Sequence, residues 1–426
     1  MKKVLIITYY WPPAGGPGVQ RWLKFVKYLK DFNIEPIVYI PENPSYPIID
    51  ESLIGEIPKH ITILKQPIKE PYKAAATISN KQSETISKGI IPDQKKQRII
   101  EKVLLFIRGN FFIPDARKNW VTPSVSFLAN YIEEHHIDTI ITTGPPHSMH
   151  LIGLNLKQNF NFKWIADFRD PWTTIGYHKK LKLLRFARLK HKKLESEVLN
   201  SADYIVVTSP TTKREFEAIT KKPITVITNG YDINTVGETV LDTKFSFAHI
   251  GSLLSERNPE VLWQVLRDIV REDKVFQSQF QLNLVGAVSK EVLGSLDAHN
   301  LSQFVNLVGY VSHNDAIRYQ KQSQVLLLIE IDSEDTKCII PGKLFEYMVS
   351  GRPILALGPK DSDVAQIITT TNTGHYFEYS EYDQLKHKIL EHFDAFRRHD
   401  LQSHAIGLQQ YSRKELTKKL SDLIAY

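Results

Sequence analysis

Short apolar runs alternate with helical patterns along almost the whole chain. Val4 to Thr8 is the first run, the kind of continuous apolar stretch that suits a strand covered on both faces. After a loop, Trp22, Phe25, Val26 and Leu29 recur at helical spacing, and Ile37–Ile40 supply a second strand. Further strands are expected at Ile61–Leu64, Thr139–Thr143, Trp164–Asp167 and Tyr204–Thr208. The alternation then starts again. Phe247–Ile250 reads as a strand, and Val261, Leu262, Val265, Leu266 and Ile269 mark a helix. Strands follow at Gln281–Val285, Val305–Val308, Val325–Ile329 and Ile354–Leu357. Two successive βα series predict two doubly wound, Rossmann-like α/β domains over 1–210 and 240–405, joined by a linker over 211–239. In the final stretch 411–426, Leu416, Leu420 and Leu423 give a helical pattern. The Lys/Ser/Gln-rich segment Ser79–Lys96 reads as a mobile insertion.

Composition changes this picture little, but charge adds to it. The chain has 426 residues and is 42% hydrophobic and 24% charged, which is a globular balance with enough chain for two cores. Its one cysteine, Cys338, excludes an internal disulfide framework and fits a reducing cytoplasm. The apolar start at Val4 is too short for a signal sequence and is broken by Pro12 and Pro13. The net charge of +7 favours anionic partners. Much of it lies in one stretch, from Lys179 to Lys193, where Leu181, Leu184, Phe186 and Leu189 are interleaved with cations and no acidic residue. That pattern fits a helix lying on an anionic membrane, and equally a solvated helix packed by its leucines. A second apolar and basic pattern runs from Lys95 to Phe112. No nucleic-acid motif is present.

Candidate chemistry gathers at the ends of the expected strands. Pro341 and Gly342 open a short helix in which Lys343 and Glu346 stand one turn apart. Backbone N–H groups at a helix start attract an anion, and Lys343 adds a positive charge. Glu346 can accept hydrogen bonds from two neighbouring hydroxyls, as a ribose offers. A diphosphate beside a ribose suits this arrangement. In the first domain, Gly15, Gly16 and Gly18 follow the first strand, where glycine lets backbone approach a ligand. Arg21 stands where a dinucleotide fingerprint needs its third glycine, and Pro41 rather than an acid follows the second strand, which argues against a nicotinamide cofactor. Pro145 and Pro146 form a rigid turn that presents His147 at a strand end, with His150 three residues on; a histidine capping the next helix explains the position equally well. Asp167 and Asp170 are candidates for acceptor hydroxyls, and Arg169 either binds an anion or pairs with Asp167 or Asp115. Cysteine and histidine spacing offers no zinc site, and no metal-binding DxD pair stands at a strand end.

The segment Cys338–Leu357 resembles the donor-nucleotide motif of retaining glycosyltransferases with the GT-B fold, in the large family 4. In that family two glutamates stand eight positions apart here. Glu346 matches the second, which holds the ribose, and Cys338 replaces the first, with Glu334 and Asp335 close upstream. Two further segments, Ile113–Arg117 and Trp164–Trp172, resemble a subgroup acting in bacterial surface-polysaccharide synthesis, and Asn229–Asp232 matches the family's hinge turn.

The resemblance implies two Rossmann-like domains facing a central cleft, with the last helix crossing back to the N-terminal domain. The N-terminal domain would bind a glycan or lipid-linked glycan acceptor, and the C-terminal domain a nucleotide-diphosphate sugar as co-substrate. No cofactor, metal or nucleic acid is implied. Gly251 matches the glycine that ends the first strand of the second domain; Ser252 stands at the first basic position after it, and Arg257 supplies the second. The implied donor contacts are therefore Gly16, Gly18, Gly251, Ser252, Arg257, Gly342, Lys343, Leu344 and Glu346, with His147 beside the transferred sugar. His147, Arg257, Lys343 and Glu346 make the implied catalytic set, and Asp167, Asp170 and His150 the acceptor contacts. The expected location is the cytoplasm, at the inner face of the cell membrane. A sugar-nucleotide epimerase of the same fold and a non-catalytic sugar-nucleotide binder are the rival readings.

Overall fold

The computed structural model of the chain describes residues 1–70, 99–179, 181–232 and 239–425. The insertion expected at Ser79–Lys96 lies outside the described residues. The chain divides into two compact units, Met1–Asn229 with Arg413–Tyr426, and Gly230–Ser412.

The first unit is built on seven parallel strands: β1 (Lys2–Ile7), β2 (Ile34–Pro41), β3 (Thr62–Gln66), β4 (Thr139–Gly144), β5 (Lys163–Phe168), β6 (Tyr204–Val207) and β7 (Ile224–Val226). Their order is β3-β2-β1-β4-β5-β6-β7. Side chains alternate across the sheet, so Leu5 and Ile7 enter one core cluster while Val4 and Ile6 enter the other. All four are fully buried, which is why β1 reads as one unbroken apolar run. The helix Arg413–Ala425 packs on the helix Pro17–Leu29. Leu416, Leu420 and Ile424 join Trp22 and Phe25 in one cluster, and Arg413 donates to Gln20 Oε1 at 2.9 Å. Ile424 rather than Leu423 completes the buried stripe, because positions four apart lie on the same helix face.

The stretch 211–229 is not linker, as the sequence pattern had it. Ser209 Oγ accepts from the Thr212 N–H at 3.1 Å, Pro210 takes the first helical turn, and the helix Pro210–Glu217 buries Phe216. Strand β7 then pairs with β6 through Ile205–Ile224 and Val207–Val226. Proline, which reads as a boundary in sequence, is here the residue best suited to open a helix.

The second unit repeats the plan with β8 (Phe245–Ile250), β9 (Phe280–Val285), β10 (Val305–Gly309), β11 (Val325–Ile329), β12 (Ile354–Gly358) and β13 (Gly374–Glu378), in the order β10-β9-β8-β11-β12-β13. Phe245, Phe247, Phe276, Phe280 and Phe393 pack together on one side of this sheet, each burial being worth about 1.5–3 kcal/mol. Leu344, Phe345, Tyr347 and Met348 fill the other side. In both sheets the order reverses beside the first strand, between β1 and β4 and between β8 and β11. Open parallel sheets bind ligands outside the carboxyl ends of the strands at such a reversal.

Candidate functional site

At the reversal in the second unit, β8 ends and the chain turns at Gly251 with φ +114°, a conformation open to glycine. Gly286, at φ +119°, is pressed against Gly251: a β-carbon there would stand 2.7 Å from the Gly251 carbonyl oxygen. Lys343 enters from the helix Gly342–Met348, and its Nζ lies 3.0 Å from where Gly251 would carry a β-carbon. The same Nζ lies 3.3 Å from Nε2 of His249. Burial, then the charge of Arg257, bring the Lys343 amine down to about 7, so it is poised to take a proton when an anion arrives. Arg257 sits in a single 3-10 turn, Ser255–Arg257, and its charge reaches Lys343, His249 and Glu330. Ser252 is exposed beside it. The helix has only seven residues, so the two side-chain cations rather than a long macrodipole make this corner electropositive.

Glu346, one turn along, lines a recess of the same unit. Its Oε2 accepts from Gln320 Nε2 at 3.0 Å, and His313 Nε2 lies 3.8 Å from Oε1. Tyr231, Asp232, Ile317 and Lys321 complete the wall. The structure therefore brings Gly251, Arg257 and Lys343 together and sets Glu346 beside them, about 4.5 Å further along the helix axis. It removes Leu344 from the donor contacts. That side chain is fully buried in the core, and its N–H is spent on Pro341 O at 3.0 Å. Cys338 is buried too, and Glu334 pairs with Lys337 at 2.6 Å while staying exposed.

Two groups here escaped the sequence reading. His249 is one. Glu330, the first residue after β11, is the other. It is 4% exposed, and Ser362 Oγ donates to its two oxygens at 3.2 and 3.0 Å. Burial pushes its carboxyl up to about 8, against the opposing hydrogen bonds of Tyr376 and Ser362 and the charge of Arg257.

At the reversal in the first unit, Gly16 has open space where a β-carbon would stand, whereas Gly18 serves the protein itself. Gly16, at φ +104°, precedes the helix Pro17–Leu29. Gly18 lies under the guanidinium of Arg169, which fills the space a β-carbon would need. Arg169 also donates to Pro145 O and lies 5.8 Å from the Tyr10 ring. Asp167 is no acceptor contact. It is 1% exposed and takes hydrogen bonds from Arg21 at 2.9 Å, Trp22 Nε1 at 3.0 Å and Thr143 Oγ1 at 2.8 Å. Arg169 thus pairs with neither Asp167 nor Asp115. Asp115 instead caps the helix Ser148–Lys157, accepting from Ser148 N and Oγ, both at 2.9 Å. Asp170 is half-buried, and burial raises its carboxyl while Arg169 opposes the rise.

Four histidines of this unit, His147, His150, His178 and His191, are buried. His150 is fully buried, which removes it from acceptor contact. Thr142 Oγ1 accepts from Trp164 Nε1 at 2.9 Å and lies 2.8 Å from His150 Nδ1. His150 Nε2 has no hydrogen-bond partner. His147 is 5% exposed, stacks on Trp172 at 4.7 Å, and has both ring nitrogens without a partner. It holds the N-cap position of the helix Ser148–Lys157 without a side-chain capping hydrogen bond. Trp172 Nε1 donates to His191 Nδ1 at 3.1 Å, and His178 packs edge-on against His191 at 4.5 Å. Burial holds His147 well below the usual histidine range, His150 at about 3 and His178 at about 4. Among the described residues no group of three His, Cys, Asp or Glu side chains is placed to hold a metal ion.

Comparison with known proteins agrees with this architecture. Residues 90–235 match the model of Glycosyltransferase Family 4, and residues 244–394 that of Glycosyl transferases group 1. No curated protein matches the chain by sequence. Among solved structures, sucrose-phosphate synthase from Thermosynechococcus elongatus superposes with a TM-score of 0.63 at 14% identity, covering 100% of this chain and 98% of that one. TarM of S. aureus, solved with UDP and alpha-GlcNAc-glycerol, gives 0.58 at 14% identity over 100% of both chains. A putative UDP-N-acetylglucosamine 2-epimerase from Listeria monocytogenes gives 0.56 at 13% identity, covering 100% and 96%. At such identities these likenesses establish the fold. Activity follows from the two successive family matches, one to each half: the chain belongs to the GT-B glycosyltransferases of the family 4 and group 1 type.

Proposed function

We propose that the chain moves a sugar from a nucleotide-diphosphate donor to a glycan or lipid-linked glycan, with retention of configuration, in the synthesis of a bacterial surface polysaccharide. The observation that carries the reading is the Lys343 amine held against Gly251 beside the charge of Arg257. Two cations at one glycine turn suit a diphosphate, and Glu346, beside Gln320, suits ribose hydroxyls. The glycosidic C–O bond to the diphosphate breaks as the acceptor oxygen forms its own bond to the same carbon and face. The acceptor proton passes to the departing phosphate oxygen, so no side-chain base is needed. Arg257 and Lys343 stabilise the charge that grows on the leaving group. Asp170 remains the acceptor-side candidate. His147, buried against Trp172, is left out of the set.

The test is a panel of nucleotide sugars offered with glycan acceptors, followed by release of nucleoside diphosphate. Expected are one preferred donor and a fall in kcat/KM of about tenfold or more for Arg257→Ala and for Glu346→Ala. Unchanged turnover in both variants would remove the donor assignment. Donor rearrangement without an acceptor would favour the epimerase reading, and tight binding without turnover a binding protein.

Contact with an anionic membrane is supported by two adjoining helices, Ile99–Phe111 and Arg185–Ser201. Val103, Ile107 and Phe111 are exposed on the first, and Phe186 and Leu189 on the second, next to Arg185, Arg188 and Lys192. Among the described residues no helix is long and apolar enough to cross a membrane. Flotation with anionic liposomes at low and high salt tests this: salt-sensitive association is expected, and none at low salt would end the idea.

A further inference from the structure

His249 stands next to last in β8 and is 1% exposed. Its neighbours in that strand, Phe247, Ala248 and Ile250, are apolar, as a strand covered on both faces requires. A histidine here gives up solvation that a phenylalanine would not. Its two ring nitrogens show what it does instead. Nδ1 lies 3.2 Å from the carbonyl oxygen of Leu327 in β11, so Nδ1 carries the proton and donates it there. The other nitrogen, Nε2, then presents a bare lone pair, and Lys343 Nζ lies 3.3 Å from it. That Nζ is also the atom lying against Gly251.

We propose that His249 is a positioning residue for the donor's diphosphate: its Nε2 accepts from Lys343 and holds the amine over the open face of Gly251. The inference rests on the donor reading above. A lysine has four rotatable side-chain bonds, and an unpinned tip must be ordered when the ligand arrives. The contact with His249 orders it beforehand. The ring stays neutral while doing so. Burial first, and then the charges of Lys343 and Arg257, hold it well below the usual histidine range. The groups facing the pair are the Ser252 backbone and Arg257 from the turn after β8 and the Leu327 carbonyl from β11, with Glu330, after β11, within reach of the Arg257 charge. An imidazole that cannot charge is a lasting acceptor for an amine that must.

The test compares the wild-type protein with H249F and H249Q in calorimetric titrations with UDP, GDP and ADP, and with the matching nucleosides. Phenylalanine keeps the bulk and removes the acceptor, whereas glutamine restores an acceptor oxygen. The best-bound diphosphate is expected to lose about tenfold in affinity in H249F, its nucleoside to lose nothing, and H249Q to recover most of the loss. An undiminished diphosphate affinity in H249F, or an equal loss for the nucleoside, overturns the role of His249 and leaves the donor reading intact. Failure of the wild type to bind any of the three diphosphates overturns both together. Should H249F not fold, histidine ¹⁵N spectra of the wild type decide the question. The ring missing from the H249Q spectrum must carry its proton on Nδ1, and its Nε2 signal must move when the diphosphate is added. The opposite tautomer, or an unmoved signal, overturns the proposal.

Discussion

Arg21 donates to Asp167 at 2.9 Å, and both side chains are almost wholly buried, at 2% and 1%. The pair ties the first helix of the first unit to the end of β5, and Arg21 donates as well to Thr228 O at 2.7 Å. Removing one partner leaves the other charged and unpaired in the core. Asp167→Ala is therefore expected to cost about 3–5 kcal/mol of stability, read as a lower urea midpoint. A loss under 1 kcal/mol would show that Asp167 is not the structural group described here.

Lys343 should show the reverse relation between stability and use. Its folded value of about 7 lies below the ordinary 10.5, so the folded protein disfavours the charged amine. The stability present above pH 10.5 is lost progressively as pH falls towards 7. Lys343→Met is thus expected to stabilise the ligand-free protein at pH 7 by about 1–3 kcal/mol, with no gain above pH 10.5, while diphosphate binding is lost. Thermal melts at pH 7 with calorimetry alongside would check it; a destabilised variant contradicts the account.

Glu330 titrates with the opposite sign. Its folded value of about 8 stands above the ordinary 4.5, so its stability is whole below pH 4.5 and is lost as pH rises through 8. Glu330→Gln keeps an acceptor for Ser362 and cannot ionise. It is expected to match the wild type at pH 5 and to exceed it by about 1–3 kcal/mol at pH 9, in paired urea titrations. Parallel curves across that range would show that Glu330 is ionised in the fold.

Acid should weaken the first unit through its histidines. His150 at about 3 and His178 at about 4 are buried neutral, against 6.5 in the unfolded chain. Stability present above pH 6.5 is lost as pH falls towards 4, by about 1.4 kcal/mol per pH unit for each group. His178→Gln should flatten that slope. Denaturation midpoints measured from pH 7 to pH 4 in both proteins supply the comparison, and identical slopes would contradict it.

The architecture was legible because its central strands are buried on both faces and read as unbroken apolar runs. Strands β7 and β13 were not. Ile224–Val226 is three residues long, and Gly374–Glu378 is a sheet edge with His375 exposed and Tyr376 half-buried, so neither carries a decisive pattern. Lys343 and Glu346 were legible because a spacing of three fixes neighbours on a helix. Asp167 was misread because its partner lies 146 residues away, and no local signal shows that its oxygens are already taken. The same limit explains His147 and His150. Proline turns point to a presented side chain, but only the fold shows that Trp172 and Phe168 cover them. Glu330 looks like one more acid among Asp332, Glu334 and Asp335 until Ser362 and Tyr376 surround it.

Tyr231 and Ser412 share a β-bridge, and the Tyr231 N–H donates to Tyr411 O at 3.1 Å. The second unit is thus an insert whose two ends are already fastened together, and hosting it asks little loop-closure entropy of the first. This allows an order of assembly opposite to the order of synthesis. The later-made lobe is contiguous and can finish first, while the earlier one waits, with the cover for Trp22 and Phe25 missing, until residues 413–425 emerge.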